Sequence, residues 1–167
     1  MSQRPKLSVQ TISDFAATSY TRLALRLARE DSHSAGPRPG VPAAILVVED
    51  DFLVALQVEA ALTDAGFKLA GTAASGEEAI SMVAAARPAL VLMDIRLAGS
   101  MDGVDAALAL FRDHKLRCVF ATAHHDPEVR KRAAPAEPLG WLQKPYTMPA
   151  LLEAVRHALA DLEDDAG

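Results

Sequence analysis

Two spacings of apolar residues alternate along this chain. Continuous apolar runs at 44–48 and 89–93, and a further strand at 117–121, suit strands buried on both faces. Between them the pattern changes to helical. Residues 52–65 predict a helix stopped at Ala65-Gly66. Phe67 and Leu69 then alternate with polar or small residues, as on an edge strand. Ser75-Gly76-Glu77-Glu78 reads as a capping box, with Ser75 as N-cap and Glu78 at N3, ahead of a helix over 79–86 that Pro88 closes. A loop through 99–103 leads to a helix over 104–114. Residues 126–134 predict a short helix hemmed in by Pro127, Pro135 and Pro138, and 140–143 predict the last strand. A final helix carries Leu151, Leu152, Val155 and Leu159 and ends in an acidic tail over 161–165. Five strand–helix pairs in alternation predict an α/β fold with a parallel sheet and right-handed crossovers.

The first 42 residues follow a different logic. They hold six Lys/Arg against three Asp/Glu, a net of +3, whereas the remainder is at −8. Ala16, Tyr20, Leu23 and Leu27 recur at helical steps, with Ile12 and Phe15 on or near the same face, so 12–30 predict one amphipathic helix. Residues 32–42, with three prolines and two glycines, read as a linker. The expected organisation is an N-terminal extension over 1–42, a domain over 43–162 and an acidic tail over 163–167. The extension is rich in Ser and Arg, as transit peptides are, but a docking or dimerising helix is the stronger reading.

Composition narrows the function classes. Half of the 167 residues are hydrophobic, enough for a sizeable core, and the net charge of −5 argues against bulk nucleic-acid binding. No stretch approaches the ~20 apolar residues of a membrane span. The single cysteine, Cys118, excludes an intramolecular disulfide and reads as a buried small hydrophobe. A reducing, cytoplasmic compartment is expected.

The chemistry lies at the strand ends. Glu49-Asp50 follow the first run, Asp94 follows 89–93, Thr122 follows Val119-Phe120-Ala121, and Lys144 follows Trp141-Leu142-Gln143. In an open parallel sheet these C-terminal ends face one crevice, where ligands bind. Crowded carboxylates repel, and a divalent cation is the usual relief. Mg²⁺ takes oxygen ligands and keeps several waters, so Glu49, Asp50 and Asp94 suffice if the first and third strands are neighbours. The competing reading, acidic helix caps at strand ends, is weakened by Asp94 at the same edge. A carboxylate can act as a nucleophile and form an acyl phosphate, and Asp94 ends a central strand. The new charge then needs partners, and the Lys144 amine and the Thr122 hydroxyl are placed to supply them. Taken singly, Thr122 and Lys144 are ordinary surface residues, and only their joint placement is informative.

Residues 44–162 resemble a response-regulator receiver domain of two-component signalling. The resemblance is carried by Ile45-Leu46-Val47-Val48-Glu49-Asp50-Asp51, Val91-Leu92-Met93-Asp94-Ile95-Arg96-Leu97, Phe120-Ala121-Thr122-Ala123 and Leu142-Gln143-Lys144-Pro145-Tyr146. It implies a flavodoxin-like, doubly wound five-stranded parallel sheet of order 2-1-3-4-5. It implies Asp94 as phosphoacceptor, and Mg²⁺ held by Glu49, Asp50, Asp94 and the main-chain carbonyl of Arg96. Thr122 and Lys144 would meet the phosphoryl group, and Trp141, three residues before the lysine, would pair with Thr122 as the switch aromatic. Asp51 is expected to cap the first helix instead. The loop 97–103 departs from the common pattern, which has a proline after the leucine and one residue fewer. Phe120-Ala121-Thr122 and Gly140 are similar to a Phe-Ala-Thr subclass of single-domain receivers from alphaproteobacteria, but Ala123-His124-His125 replaces that subclass's Gly and aromatic. His124-His125 reads as a solvated loop rather than a metal site, with His124 expected to overhang the phosphoryl group.

No output domain is evident after the receiver-like stretch. The expected role is a stand-alone response regulator, phosphorylated by a sensor histidine kinase or phosphotransfer protein, that binds a downstream protein when phosphorylated. A phosphorelay intermediate or phosphate sink is the alternative. A phosphatase of the haloacid-dehalogenase type would need a second Asp where Arg96 stands, and a degenerate receiver would lack polar groups that are all present here. Neither an independent enzyme activity nor a nucleic-acid or membrane partner is expected, and the N-terminal helix is expected either to lie against the receiver's signalling face or to mediate a homodimer.

Overall fold

Strand burial decides the architecture. A computed structural model describes residues 43–123 and 126–165. The predicted helix over 12–30, the linker and His124-His125 lie outside the described residues. The strands are β1 (Ala44–Val48), β2 (Lys68–Ala73), β3 (Leu90–Asp94), β4 (Cys118–Thr122) and β5 (Gly140–Gln143). The helices are α1 (Phe52–Asp64), α2 (Gly76–Ala86), α3 (Gly103–His114), α4 (Pro127–Ala133) and α5 (Met148–Asp165), with a 3₁₀ turn at Ala134–Ala136. All neighbouring strands pair in parallel, in the order β2-β1-β3-β4-β5.

Because successive side chains point to opposite faces, each continuous apolar run feeds two cores. Ile45, Val47, Leu90, Leu92 and Val119 pack with Val58 and Leu62 of α1 and Leu151, Val155 and Ala158 of α5. Leu46, Val48, Val91, Met93, Cys118 and Phe120 pack with Ala79 and Val83 of α2, Val104 and Leu110 of α3, and Ala133 of α4. Burial pushes the Cys118 thiol up to about 12, which makes it an inert core residue.

Local signals explain the element ends. Asp51 caps α1 by accepting from the N–H groups of Leu53 and Val54, and Gly66 follows the helix at φ +85°, where a Cβ would be strained. Ser75 caps α2 by accepting from Glu78 N–H. The reciprocal bond of the expected capping box is shifted: Glu78 accepts from Ala74 N–H at 2.7 Å, one residue before the cap. The β1–β2 register slips between Ile45 and Leu46, opposite Gly71 at φ +143°. That backbone turn, which only glycine adopts easily, irregularises the edge strand. The expected acidic tail is the last turn of α5, which runs to Asp165. Carboxylates disfavour a helix C-terminus, and the ion pair from Arg117 to Asp165 at 2.7 Å offsets part of that repulsion.

Candidate functional site

The carboxyl ends of β1, β3, β4 and β5 meet at the edge where strands 1 and 3 lie side by side. Asp94 is the last residue of β3, and Val48 pairs with Met93, so Glu49 and Asp50 emerge beside it. Glu49 and Asp94 are buried and Asp50 is exposed, and one carboxylate oxygen from each can be chosen so that all three lie within 4.8 Å of one another. Thr122, buried, ends β4. Lys144 directly follows β5, and its backbone N–H donates to the carbonyl of Thr122 at 2.7 Å. The structure thus gathers every strand-end residue singled out from the sequence.

Lys144 is the electrostatic centre of this edge. Its Nζ donates to Oε2 of Glu49 and to Oδ2 of Asp94, both at 2.7 Å. Burial acts to lower the Lys144 pKa, but its hydrogen bonds to Asp94 and Glu49 outweigh that, so the amine is held above its ordinary value as a firm cation. Burial raises the Glu49 carboxyl, with the Asp94 charge adding to the effect and Lys144 opposing it. Asp94 Oδ1 accepts from the backbone N–H of Arg96 at 3.2 Å. A cleft of about 530 Å³ opens over Asp94, lined by Arg96, Thr122, Ala123, Asp126, Val129 and Lys144 among others. Glu49, Asp50 and Asp94, the last lining the cleft, are hard and mutually repelling oxygen donors, the donor set that Mg²⁺ prefers.

Trp141 is partly buried and sits opposite Phe120 in the β4–β5 register. The two rings stack with centroids 4.8 Å apart. The Arg130 guanidinium of α4 lies 4.7 Å from the indole centroid.

Several residues that support this edge were not anticipated. Gly103 opens α3 against the backbone of Asp94, and a Cβ there would fall 1.9 Å from the Asp94 carbonyl oxygen. Its N–H donates to Ile95 O at 2.9 Å, closing the long β3–α3 loop. The available signal was a glycine directly after Asp102, a position where a helix start does not require one. Glu77 of α2 accepts from the Ser100 hydroxyl at 2.7 Å and thereby anchors the loop's midpoint. Arg132 pairs with Asp102, which caps α3 through Asp105 N–H at 2.9 Å. At the start of α1, beside Asp50, Phe52, Leu53 and Leu56 are 75%, 67% and 50% exposed.

Comparison with known proteins gives the same picture. The family model for the response regulator receiver domain matches residues 45–156. The chain is 29% identical over 120 residues to transcriptional regulatory protein PdtaR of Mycobacterium tuberculosis, 72% of this chain and 58% of that protein's length. It is 31% identical over 133 residues to chemotaxis protein CheY of Treponema pallidum, 77% of this chain and 92% of the other. Among solved structures, the signal receiver domain of a modulated diguanylate cyclase from Desulfovibrio desulfuricans G20 aligns at a TM-score of 0.69 with 31% identity, covering 75% of this chain and 99% of that one. The match runs from β1 into α5 and spans all five strands, and the chain therefore belongs to the response regulator receiver family, the phosphoacceptor signalling domains of two-component systems.

Proposed function

We propose that this receiver accepts a phosphoryl group on Asp94 from a sensor histidine kinase or phosphotransfer protein, and signals through phosphorylation-dependent contact with a downstream protein. The observation that carries the reading is the Lys144 amine, bonded at 2.7 Å to both Asp94 and Glu49 beside an open cleft. A cation fixed at that point meets the incoming phosphoryl oxygens, and the Asp94 carboxylate beside it is the nucleophile. An Asp94 oxygen forms the new bond to phosphorus, and the phosphorus–nitrogen or phosphorus–oxygen bond of the donor breaks with its electron pair leaving on the donor. Lys144 then pairs with the transferred group, and the Thr122 hydroxyl donates to one of its oxygens. Water attack on phosphorus later returns the free carboxylate and inorganic phosphate.

Glu49, Asp50 and Asp94 would hold Mg²⁺, with the main-chain carbonyl of Arg96 as a further ligand. When bound, the ion supplies neutralisation of the phosphoryl charge. Thr122 and Trp141 form the switch pair, and the added charge at Asp94 biases a two-state packing. In this reading the receiver occupies 43–162, follows an extension over 1–42, and works in the cytoplasm; no described helix is long and apolar enough to cross a membrane.

The test is to add Mg²⁺ and then acetyl phosphate while following Trp141 fluorescence and intact mass, with Asp94→Asn as control. A mass gain of one phosphoryl group that the control lacks, with an emission change, is the expected result. A mass gain without emission change removes the switch role of Trp141 and favours a phosphorelay or sink. No mass gain with acetyl phosphate or with a histidine kinase overturns the proposal.

A further inference from the structure

Residues 95–102 join Asp94 to α3. Both ends of this loop are tied to β3 or its first continuation. Arg96 N–H donates to Asp94 Oδ1 at 3.2 Å, and Gly103 N–H donates to Ile95 O at 2.9 Å. The middle is exposed over Ala98, Gly99 and Ser100, so packing alone does not hold it there. The first two residues of α2 hold it instead. Glu77 Oε1 accepts from both the N–H of Ser100, at 3.3 Å, and its hydroxyl, at 2.7 Å. A Cβ on Gly99 would fall 3.0 Å from Glu77 Oε2, and Gly99 stands at φ +112°, so the carboxylate fits against the loop only because that residue is glycine. A Cβ on Gly76 would fall 2.9 Å from the Ala106 methyl and 3.2 Å from Cγ and Sδ of Met101. The bare head of α2 is therefore the seat of Met101. The Ser100 hydroxyl, ahead of the backbone N–H groups of Glu77 and Ser100, holds the Glu77 carboxyl below its ordinary value, so the acceptor is ionised at neutral pH. Glu77 does not line the cleft over Asp94, and any effect it has on the site travels through the loop.

We propose that Gly76 and Glu77 form a socket for the β3–α3 loop, and that Glu77, through Ser100, is a positioning residue for the Mg²⁺ that Asp94 and the Arg96 carbonyl would hold. This rests on the metal and phosphoacceptor reading above. Mg²⁺ demands near-ideal octahedral geometry. A carboxylate ligand can adjust by a rotamer change, but a main-chain carbonyl goes where its loop goes. With Ser100 pinned, the loop is ordered before the ion arrives. Without Glu77 the ion has to order it, and that cost is taken from its affinity. Groups that orient a metal ligand directly change affinity by about ten- to hundredfold, and this contact acts at one remove, so an effect of about three- to tenfold is expected.

The experiment is a calorimetric Mg²⁺ titration of the full-length wild type, Glu77→Ala, Glu77→Gln, Ser100→Ala and the Glu77→Ala/Ser100→Ala double variant, without phosphodonor. Thermal melting in Mg²⁺-free buffer is recorded in parallel. The Kd for Mg²⁺ should rise about three- to tenfold in Glu77→Ala. It should rise less in Ser100→Ala, which keeps the backbone bond, and least in Glu77→Gln, which keeps an acceptor oxygen. The double variant should bind no more weakly than Glu77→Ala, because both residues act through one contact. Equal Kd values in wild type and Glu77→Ala overturn the positioning role, and a lower melting temperature with that equal Kd shows a structural contact only. Equal weakening by Glu77→Gln and Glu77→Ala also overturns it, since the loss is then one of charge rather than of position. No Mg²⁺ binding by the wild type overturns the metal reading and the positioning role together.

Discussion

The Nζ of Lys144 lies 2.7 Å from Oδ2 of Asp94, fifty residues earlier in the chain, and the same nitrogen bridges to Glu49. One side chain thus bridges two buried carboxylates that otherwise face each other. Lys144→Ala should cost about 1–3 kcal/mol without Mg²⁺, below the figure for a fully buried pair because Lys144 is 24% exposed. Acetyl phosphate should modify Asp94 on the order of a hundredfold more slowly in this variant. Mg²⁺ should raise the melting temperature of the variant more than that of the wild type, since the ion then replaces the missing cation. Equal Mg²⁺ effects on the two proteins would sink the idea.

Gly103 should tolerate no side chain. The methyl of Gly103→Ala would sit 1.9 Å from the Asp94 carbonyl oxygen, so backbone has to move. Overpacking of this kind costs about 1–3 kcal/mol. Because the atom displaced belongs to Asp94, the proposed phosphoacceptor, phosphorylation at temperatures where the variant is still folded should fall as well. Denaturant unfolding and intact mass on the same sample separate the two effects. A stable variant with wild-type phosphorylation would show that the α3 start does not position Asp94.

Glu49 sets a pH dependence. Burial and the Asp94 charge hold it above its ordinary 4.5, despite Lys144. The folded chain therefore binds that proton more tightly than the unfolded one. Stability from protonated Glu49 is fully present below 4.5 and is lost as pH rises through the raised folded value. Mg²⁺ requires the ionised carboxylate, so metal binding should release protons and weaken as pH falls through that same range. Calorimetric Mg²⁺ titrations in buffers of different ionisation enthalpy measure the proton release. Glu49→Gln should abolish it, and release that persists in the variant would point to another group.

The apolar surface at the start of α1 should matter to a protein donor only. Phe52 and Leu56 are 75% and 50% exposed beside Asp50, so Phe52→Ala and Leu56→Ala should change stability by less than about 0.5 kcal/mol. They should slow transfer from a purified histidine kinase that phosphorylates the wild type, and leave modification by acetyl phosphate unchanged. Equal slowing with both donors would mean the patch acts on the site itself.

Much of this was legible along the chain. Strands buried on both faces must be apolar throughout, so β1, β3 and β4 show as continuous runs, and the polar residues that end them mark the candidate site. The caps at Asp51 and Ser75 act over two or three residues and read equally well. Uniformly apolar runs conceal other things. With both faces greasy, nothing in β1 tells which residues meet α1 and α5 and which meet α2 and α3.

The supports of the site are invisible for a related reason. Gly103 against Asp94, Ser100 on Glu77, Arg132 on Asp102 and Arg130 on Trp141 join side chains or backbone from separate elements. The acidic end of α5 likewise pairs with Arg117, 48 residues away. The alternation of strand and helix, and the identity of the groups delivered to the sheet edge, follow from local periodicity that the sequence alone determines. Which loop closes on Asp94, and which helix holds Trp141, was decided only when packing in three dimensions brought those distant segments into contact.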